Sequence, residues 1–262
     1  MPFPSSQRVI YGKNPLTNVI CQLRFPPILR IQTEIPSAFQ EAVRVAFPLF
    51  SETQAEIIPP ELAKALPFSL QVKGAKQYEF ASSGMDWKLS LSKDAIALVC
   101  SNYKRWEDFR TRFAQPFEAF CRIYAPAFFL RTGLRYINLI RRSVLGLQDV
   151  GWSELIQRYI AGEMTTDIAA HLEDTEHVLL VRLDTTSRVR IYHGIAKVKD
   201  PEEEGYLIDN DIFTEERLEA ANAIRRLDSF NNTSGNLFRW CIAERLHGAM
   251  EPSPVESETT VG

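Results

Sequence analysis

The order of hydrophobic patterns along the chain occurs twice, and this repetition is the strongest constraint on its fold. Residues 1–125 predict a strand, a helix, three or four short strands and a long helix, and residues 126–250 predict the same succession. One such unit leaves a sheet edge unpaired, which a second unit can cover. We therefore expect an α+β fold in which duplicated β-α-β(3-4)-α halves form one globular unit, with a curved antiparallel sheet and the long helices on one face.

Patterns in the first half define its elements. Alternating apolar residues predict a strand over 19–25, which ends at Pro26 and Pro27. Apolar residues three or four positions apart predict an amphipathic helix over 37–50, with Ser37 as its N-cap. Short apolar runs separated by turn residues predict an antiparallel meander. Its strands are expected at 68–72, 77–81, 87–91 and 95–101, after a loop over 51–67.

Aromatic side chains recur at helical spacing over 105–124 and predict the long helix of this half. Because a helix that covers a sheet needs an apolar face, we expect the rings to fill the core instead of stacking on a ligand. The stripe consists of Trp106, Phe109, Phe113, Phe117, Phe120 and Tyr124.

The second half shows the same patterns. A long strand is predicted over 128–141 and a short helix over 152–160. We expect a final helix to begin at 215, to be interrupted by the polar run 231–236 and to resume over 237–250. Three strands at 177–183, 189–198 and 206–213 are expected between these helices, and a disordered acidic tail at 251–262 after them.

Charge and composition limit the partners. The chain has 262 residues, and 30 Lys and Arg against 33 Asp and Glu give a net charge of −3. Its duplicated layout resembles the fold of TATA-binding proteins and, as a single copy, the fold of plant allergen-type lipid binders. A saddle that held a DNA duplex would need an excess of basic residues to neutralise phosphates. We therefore expect no nucleic-acid partner.

The sequence also bears on the compartment. No apolar run approaches the roughly 20 residues of a membrane helix, so no membrane span is expected. The N-terminus lacks the pattern of a secretory signal. Four cysteines, spread singly along the chain, fit a reducing environment. Together these features predict a cytoplasmic protein.

The sequence contains few of the patterns that are typical of catalytic sites. The sequence contains no glycine-rich phosphate loop, no zinc-ligand spacing and no Gly-x-Ser-x-Gly turn, so no cofactor is expected. Asp209 and Asp211 would share one face of a strand, and Asp184 could approach from a neighbouring strand. Three carboxylates can bind Mg²⁺ or hold a general base, but strand-end acids also simply face water. Neighbouring arginines could pair with them across the hairpin: Arg182, Arg188 and Arg190.

Three segments carry a family resemblance. Residues 11–16, Tyr-Gly-Lys-Asn-Pro-Leu, and residues 23–26, Leu-Arg-Phe-Pro, resemble the opening signature of a sporadically distributed, largely uncharacterised family of bacterial proteins of about this length. Residues 133–138 are similar to the mid-chain Arg-Tyr-x-Asn strand of that family. Where the family often carries a Leu-His pair near its C-terminus, this chain has Leu227 and Asp228.

The resemblance implies a component of a bacterial accessory system, such as defence against bacteriophage, that works beside a second protein encoded nearby. It implies no activity and no cofactor. Arg24 and Arg135 would occupy equivalent positions in the two halves, where they could bridge to acids or line a groove. The candidate residues for contact with a ligand or partner are Arg24, Arg135, Tyr136 and Asn138.

Three functions follow as hypotheses. The leading one is a non-enzymatic binding or sensor protein that acts with a protein partner. The second is a small-molecule or lipid binder that holds its ligand between the sheet and the aromatic helices. The third is a metal-dependent enzyme that uses Asp184, Asp209 and Asp211. A homo-oligomer is compatible with all three.

Overall fold

A computed structural model of the chain describes residues 2–54, 76–199 and 202–255. Two short strands, β1 (Val9–Tyr11) and β11 (Pro252–Pro254), pair with each other. The other strands form one antiparallel sheet. They are β2 (Leu16–Arg24), β3 (Leu49–Gln54), β4 (Lys76–Ala81), β5 (Trp87–Ser92), β6 (Ala95–Cys100), β7 (Arg131–Arg141), β8 (His177–Arg182), β9 (Ser187–Lys199) and β10 (Glu202–Thr214).

The strand order of the sheet is β3-β4-β5-β6-β2-β7-β10-β9-β8. The first long strand of each half, β2 or β7, therefore lies at the centre, and the two pair with each other. Each also pairs with the last strand of the following meander, β6 for β2 and β10 for β7. The predicted mixed fold with a large antiparallel sheet is confirmed.

Two long helices accompany the sheet, α3 (Trp106–Tyr124) and α7 (Ala220–Cys241). None of the helices in the described ranges is long and apolar enough to cross a membrane. The shorter helices are α1 (Leu29–Thr33), α2 (Ser37–Val43), α4 (Arg142–Leu145), α5 (Trp152–Leu155), α6 (Arg158–Ala161) and α8 (Glu244–Ala249), and two 3-10 turns span Gly162–Thr165 and Asp167–His171.

Both long helices contact the same face of the sheet, which we call the helix face. Phe109 of α3 packs on Trp87 of β5, with ring centroids 5.6 Å apart. On α7, Asn231 bonds to Tyr136 of β7. The aromatic stripe of α3 is buried from Trp106 to Phe120, so its predicted place in the core is confirmed.

The opposite face of the sheet, the polar face, carries charged side chains on its central strands. Arg131 and Arg135 of β7 lie there with Asp209 and Asp211 of β10, because residues directly opposite each other in an antiparallel pair share a face. Arg131 also donates to Gln22 of β2. Alternation along β7 thus separates an apolar side from a charged one.

The predicted helix over 37–50 is too long. Helix α2 ends at Val43, and strand β3 begins at Leu49. Residues 51–54, the start of the expected loop, belong to this strand. Phe50 packs against Phe80 of β4 with ring centroids 5.4 Å apart. This cross-strand aromatic contact outweighs the helical spacing, which local sequence cannot reveal. Ser37 is the first helical residue and makes no capping bond.

The break expected at 231–236 does not occur, since α7 is continuous through it, and this helix begins at 220 instead of 215. Its polar side chains find partners on the sheet: Asn231 accepts from the Tyr136 hydroxyl, and Ser234 donates to Asn210 of β10. These partners remove the competition with the backbone that usually makes such residues poor helix formers. The short helix expected at 152–160 is divided into α5 and α6.

The described part of the tail, residues 251–255, is ordered where disorder was expected. Pro252–Pro254 forms β11 against β1, and Glu251 accepts a hydrogen bond from the Gly12 amide through its carbonyl. Residues 256–262, the expected strand at 68–72 and most of the expected loop at 51–67 lie outside the described residues.

Candidate ligand site

A cavity of about 390 Å³ lies on the helix face. Its floor is β7, its sides are the beginning of α3 and the middle of α7, and its outer wall is the N-terminal segment, residues 5–14, which we call the strap. Each half of the chain therefore contributes to the cavity. The second hypothesis from the sequence, a small-molecule or lipid binder, expected the ligand in this region between the sheet and the long helices.

The floor is built from Tyr136 and Asn138, two of the four predicted contact residues. The Tyr136 hydroxyl donates to Asn231 Oδ1 at 2.8 Å, and the edge of the Tyr103 ring meets the Tyr136 ring with centroids 5.7 Å apart. Asn138 Nδ2 donates to the Ile208 carbonyl at 3.1 Å with one of its two hydrogens, which leaves its second N–H as a donor and its amide oxygen as an acceptor for a ligand. Burial raises the pKa of the Tyr103 and Tyr136 hydroxyls, so both stay protonated and able to donate.

Hydrogen bonds and an ion pair hold the strap in place. At one end, the Ser6 amide and hydroxyl both donate to Asn236 Oδ1 of α7, at 2.9 and 3.0 Å. In the middle, Arg8 forms a two-pronged ion pair with Glu107 of α3, at 2.7 and 2.8 Å. The strap thus bridges the two long helices above the sheet.

The far end of the strap is held by the first signature segment. Tyr11 lies 2.8 Å from His247 Nδ1 through its hydroxyl, which connects the strap to α8. Asn14 Oδ1 accepts the Leu16 amide at 3.0 Å, and its Nδ2 donates to the Tyr103 carbonyl at 3.1 Å. Asparagine before proline thus closes a turn and secures the neighbouring loop at once.

Two of the three segments that carry the family resemblance, residues 11–16 and 133–138, meet at this cavity. Tyr11, Asn14 and Leu16 from the N-terminal signature line it, as do Tyr136 and Asn138 from the mid-chain strand. About 120 residues separate the two segments in sequence, and the antiparallel pairing of β2 with β7 brings them together.

A polar layer lies directly behind the cavity wall. Ser234 lines the cavity and donates to Asn210 Oδ1 at 3.0 Å, while Asn210 lies opposite Tyr136 in the β7–β10 register. Asn210 is fully buried, and its Nδ2 has no partner among the described residues. An unpaired buried donor lowers the free energy of unfolding by about 1 to 3 kcal/mol, so the Asn210 amide destabilises the fold at this polar layer.

The cavity has a positive rim. All charged residues in its described lining are basic: Arg8, Lys104, Arg105 and Arg239. The three arginines have carboxylate partners outside the lining, but Lys104 is exposed and forms no ion pair within the described ranges. The rim therefore has one unpaired positive charge among its described residues, that of Lys104.

The two predicted arginines lie elsewhere. Arg24 is on the polar face, 3.1 Å from Asp94, and Arg135 forms a two-pronged pair with Asp209 on the same face. The arginines bridge to acids of their own halves and do not reach the cavity. Neighbours in a strand point to opposite faces, so Arg135 cannot share a site with Tyr136.

The three carboxylates of the metal hypothesis do not converge. Asp184 accepts the Ser187 amide at 2.7 Å in the β8–β9 turn, and Ser187 lies opposite Thr214 in the sheet. Asp209 is five residues farther along β10, about 17 Å away. Asp211 is bonded to Arg131. Across the ranges the structure describes, no group of three His, Cys, Asp or Glu residues could hold a metal ion.

The position where the family often has histidine carries a structural contact. Asp228 of α7 accepts from Trp106 Nε1 at 2.9 Å and lies 2.9 Å from the Arg110 guanidinium, so it links α7 to α3. Leu227 beside it is buried. Sequence reasoning missed this contact, and it missed Tyr103 and Asn236 as cavity residues. The polar, asparagine-rich run 231–236 is the feature of the sequence that could have indicated a polar site on α7, but this pattern also predicts a helix break.

The chain was also compared with known proteins. No protein-family model matches it, and no curated protein matches it. Assignment of a function therefore depends on the geometry of the cavity.

Proposed function

We propose that the protein binds a small, polar, negatively charged molecule in the cavity, and that binding is its task. The observation that carries this proposal is that residues 11–16 and residues 133–138, two of the segments that carry the family resemblance, both contribute side chains to one cavity. A volume of about 390 Å³ falls within the range of small-molecule sites.

The chemistry of the lining supports a polar ligand over a lipid. Asn138 and Asn232 supply carboxamides, Tyr103 and Tyr136 supply hydroxyls and rings, and Lys104 supplies an unpaired positive charge. Leu16, Trp106 and Phe238 add apolar surface, but a lipid chain would also have to lie against these polar groups without hydrogen-bonding to them. Carboxamides and basic groups instead suit carboxylates and phosphates.

The same lining supports binding over catalysis. Among the described residues of the cavity wall there is no carboxylate, imidazole or thiol. These are the groups that most often supply general acid–base or nucleophilic chemistry. The proposed role is therefore recognition. On the family resemblance, we propose further that the protein is a sensor in a bacterial accessory system such as phage defence. A partner protein would respond to its ligand-bound state.

We further propose that the two halves are repeats of one module, as in the duplicated fold of TATA-binding proteins. The strand order supports this, because β2 and β7 are each followed by a meander whose last strand returns to pair with them. In this arrangement the cavity lies where the two repeats meet.

Thermal unfolding with a ligand panel tests the binding proposal. The panel pairs nucleotides, sugar phosphates and dicarboxylates with their neutral counterparts. A ligand at about 100 times its Kd stabilises by about 2.7 kcal/mol, which raises the Tm by roughly 5 to 10 °C. We expect a charged member to do so, its neutral counterpart to fail, and Asn138→Asp to abolish the effect.

Arg44→Ala is the matched control, because Arg44 is an exposed residue whose ion pair with Glu41 is distant in sequence from every cavity residue. Its response to the panel should equal that of the wild type. If no charged compound raises the Tm, and native mass spectrometry of freshly purified protein shows no bound small molecule, the binding proposal is wrong.

A further inference from the structure

Strand β8 is the last strand of the sheet and pairs only with β9 among the described strands. Its outer edge carries three consecutive large apolar residues: Val178, Leu179 and Leu180 are 61%, 39% and 57% exposed. Natural sheets normally protect an edge with charges, prolines or a covering element. A central run of three exposed apolar residues on an edge is therefore a surface that lacks its partner.

A second observation concerns charge. Arg182 lies directly opposite Arg188 across the β8–β9 pair, and neither forms an ion pair within the described ranges. Like charges directly opposite each other destabilise a sheet. Alternation places Arg182, Leu180 and Val178 of β8 on one face of the sheet. Glu176 continues this row: it is exposed, it precedes β8, and it lies beside the Tyr192 hydroxyl. The edge thus presents an acid, two apolar residues and a base in order.

We propose that a second copy of this chain pairs its β8 antiparallel to this β8, about a two-fold axis through Leu179. Residues opposite each other about such an axis share a face of the sheet. The two residue numbers of each opposing pair therefore add up to an even number. With Leu179 on the axis, Val178 opposes the partner's Leu180, and Glu176 opposes the partner's Arg182. Each Arg182 then has a carboxylate directly opposite it, whereas within its own hairpin it lies opposite Arg188.

Other registers fail on the same surface. An axis through Val178 would place Leu180 opposite Glu176, and an axis through Leu180 would place Arg182 opposite Val178. Only the register through Leu179 combines apolar contacts with ion pairs. The resulting dimer continues one sheet across both copies, and it leaves the cavity open, because the cavity lies against β7 and not against β8. This inference does not depend on the proposed ligand.

Sedimentation and light scattering of the full chain test the proposal between about 1 and 100 µM, since association depends on protein concentration. We expect a species of twice 29.9 kDa. Glu176→Arg and Arg182→Glu each turn two ion pairs into repulsions and should weaken the dimer about tenfold or more. The double exchange E176R/R182E should restore the affinity to within about threefold of the wild type.

Two further variants control for folding and for general stickiness. Leu180→Lys should yield monomer with an unchanged circular dichroism spectrum. Val45→Lys alters another exposed apolar residue, 93% exposed, and should leave the dimer intact. The proposal is overturned by a wild-type monomer at the highest concentration, by a dimer indifferent to both charge reversals, or by a double exchange that restores nothing. A monomer that binds a different protein through this edge would also overturn it.

Discussion

Arg135 and Tyr136 are adjacent in strand β7, yet their side chains lie on opposite faces of the sheet in two different environments. Arg135 is 5% exposed and paired with Asp209, which is 3% exposed, on the polar face. Tyr136 lines the cavity on the helix face and bonds to α7. A single central strand therefore carries both a buried ion pair and the floor of the candidate site, and changes to the two residues should have separable effects.

Replacing Arg135 with Met should destabilise the fold by about 3 to 5 kcal/mol, because it leaves the buried Asp209 carboxylate without its partner. Urea denaturation at pH 7 measures the change. Arg24→Met is the control: its pair with Asp94 is more exposed, so the expected loss is below about 1 kcal/mol. Equal losses for both variants would contradict a special role of the buried pair.

Elements with strong local patterns were predictable from the sequence. The alternation over 19–25 predicted most of β2, which begins three residues earlier at Leu16. The ring spacing over 105–124 predicted α3 to within one residue, because its buried face follows the period of the helix. The continuity of α7 was not predictable, since the partners of Asn231 and Ser234 come from strands far away in sequence.

The candidate site was predictable only in part. Tyr136 and Asn138, two of the four residues predicted to contact a ligand or partner, both line the cavity, since they lie two residues apart on one face of β7. Arg24 and Arg135 were grouped with them although strand alternation separates Arg135 from Tyr136. Tyr103 and the strap became cavity walls through tertiary contacts that no local pattern encodes.

Truncation of Phe113 to Ala should lower the free energy of unfolding by about 3 to 5 kcal/mol, since the ring is 3% exposed and its loss leaves a cavity. Leu29→Ala removes a side chain that is 68% exposed and should change stability by less than about 0.5 kcal/mol. Both values come from urea denaturation. A Phe113→Ala variant as stable as Leu29→Ala would mean that the stripe does not fill the core.

Two glycine substitutions should have opposite signs. A Cβ on Gly194 would lie 1.7 Å from the Thr175 carbonyl oxygen, so Gly194→Ala should destabilise by about 2 kcal/mol or more, because the backbone at Thr175 must move away. Gly248, in helix α8, has no heavy atom within 4 Å of a Cβ, and Gly248→Ala should stabilise by about 0.5 to 1 kcal/mol. Thermal unfolding distinguishes the two, and a loss at both sites would show that the α8 position is constrained.

Acid should weaken the fold through His193. Burial, together with the nearby His177, lowers the pKa of His193 to about 4, and its Nδ1 lies 2.9 Å from the Tyr206 hydroxyl. Between pH 6.5 and about 4 the unfolded chain binds a proton that the folded chain does not, so stability is complete above pH 6.5 and falls as the pH drops through this window.

The loss attributable to His193 should reach about 2 to 3 kcal/mol by pH 4. Urea denaturation of the wild type and of His193→Gln across this window isolates it, because all other titrating groups are shared. The difference in stability between the two proteins should shrink steadily with acid. A constant difference from pH 7 to 4 would show that His193 takes up protons equally in both states.

Loosening the strap should be visible without knowledge of the ligand. Asn236→Ala removes the acceptor for both hydrogen bonds from Ser6, while the Arg8–Glu107 pair remains. Each net hydrogen bond contributes about 0.5 to 1.5 kcal/mol, so amide hydrogen exchange in residues 6–11 should accelerate about tenfold. Asn222→Ala, on the exposed side of the same helix, should leave this exchange unchanged. Unaltered exchange in Asn236→Ala would mean that the ion pair alone holds the strap. A tenfold increase would instead show that the hydrogen bonds between Ser6 and Asn236 hold the strap against α7, at the outer wall of the cavity.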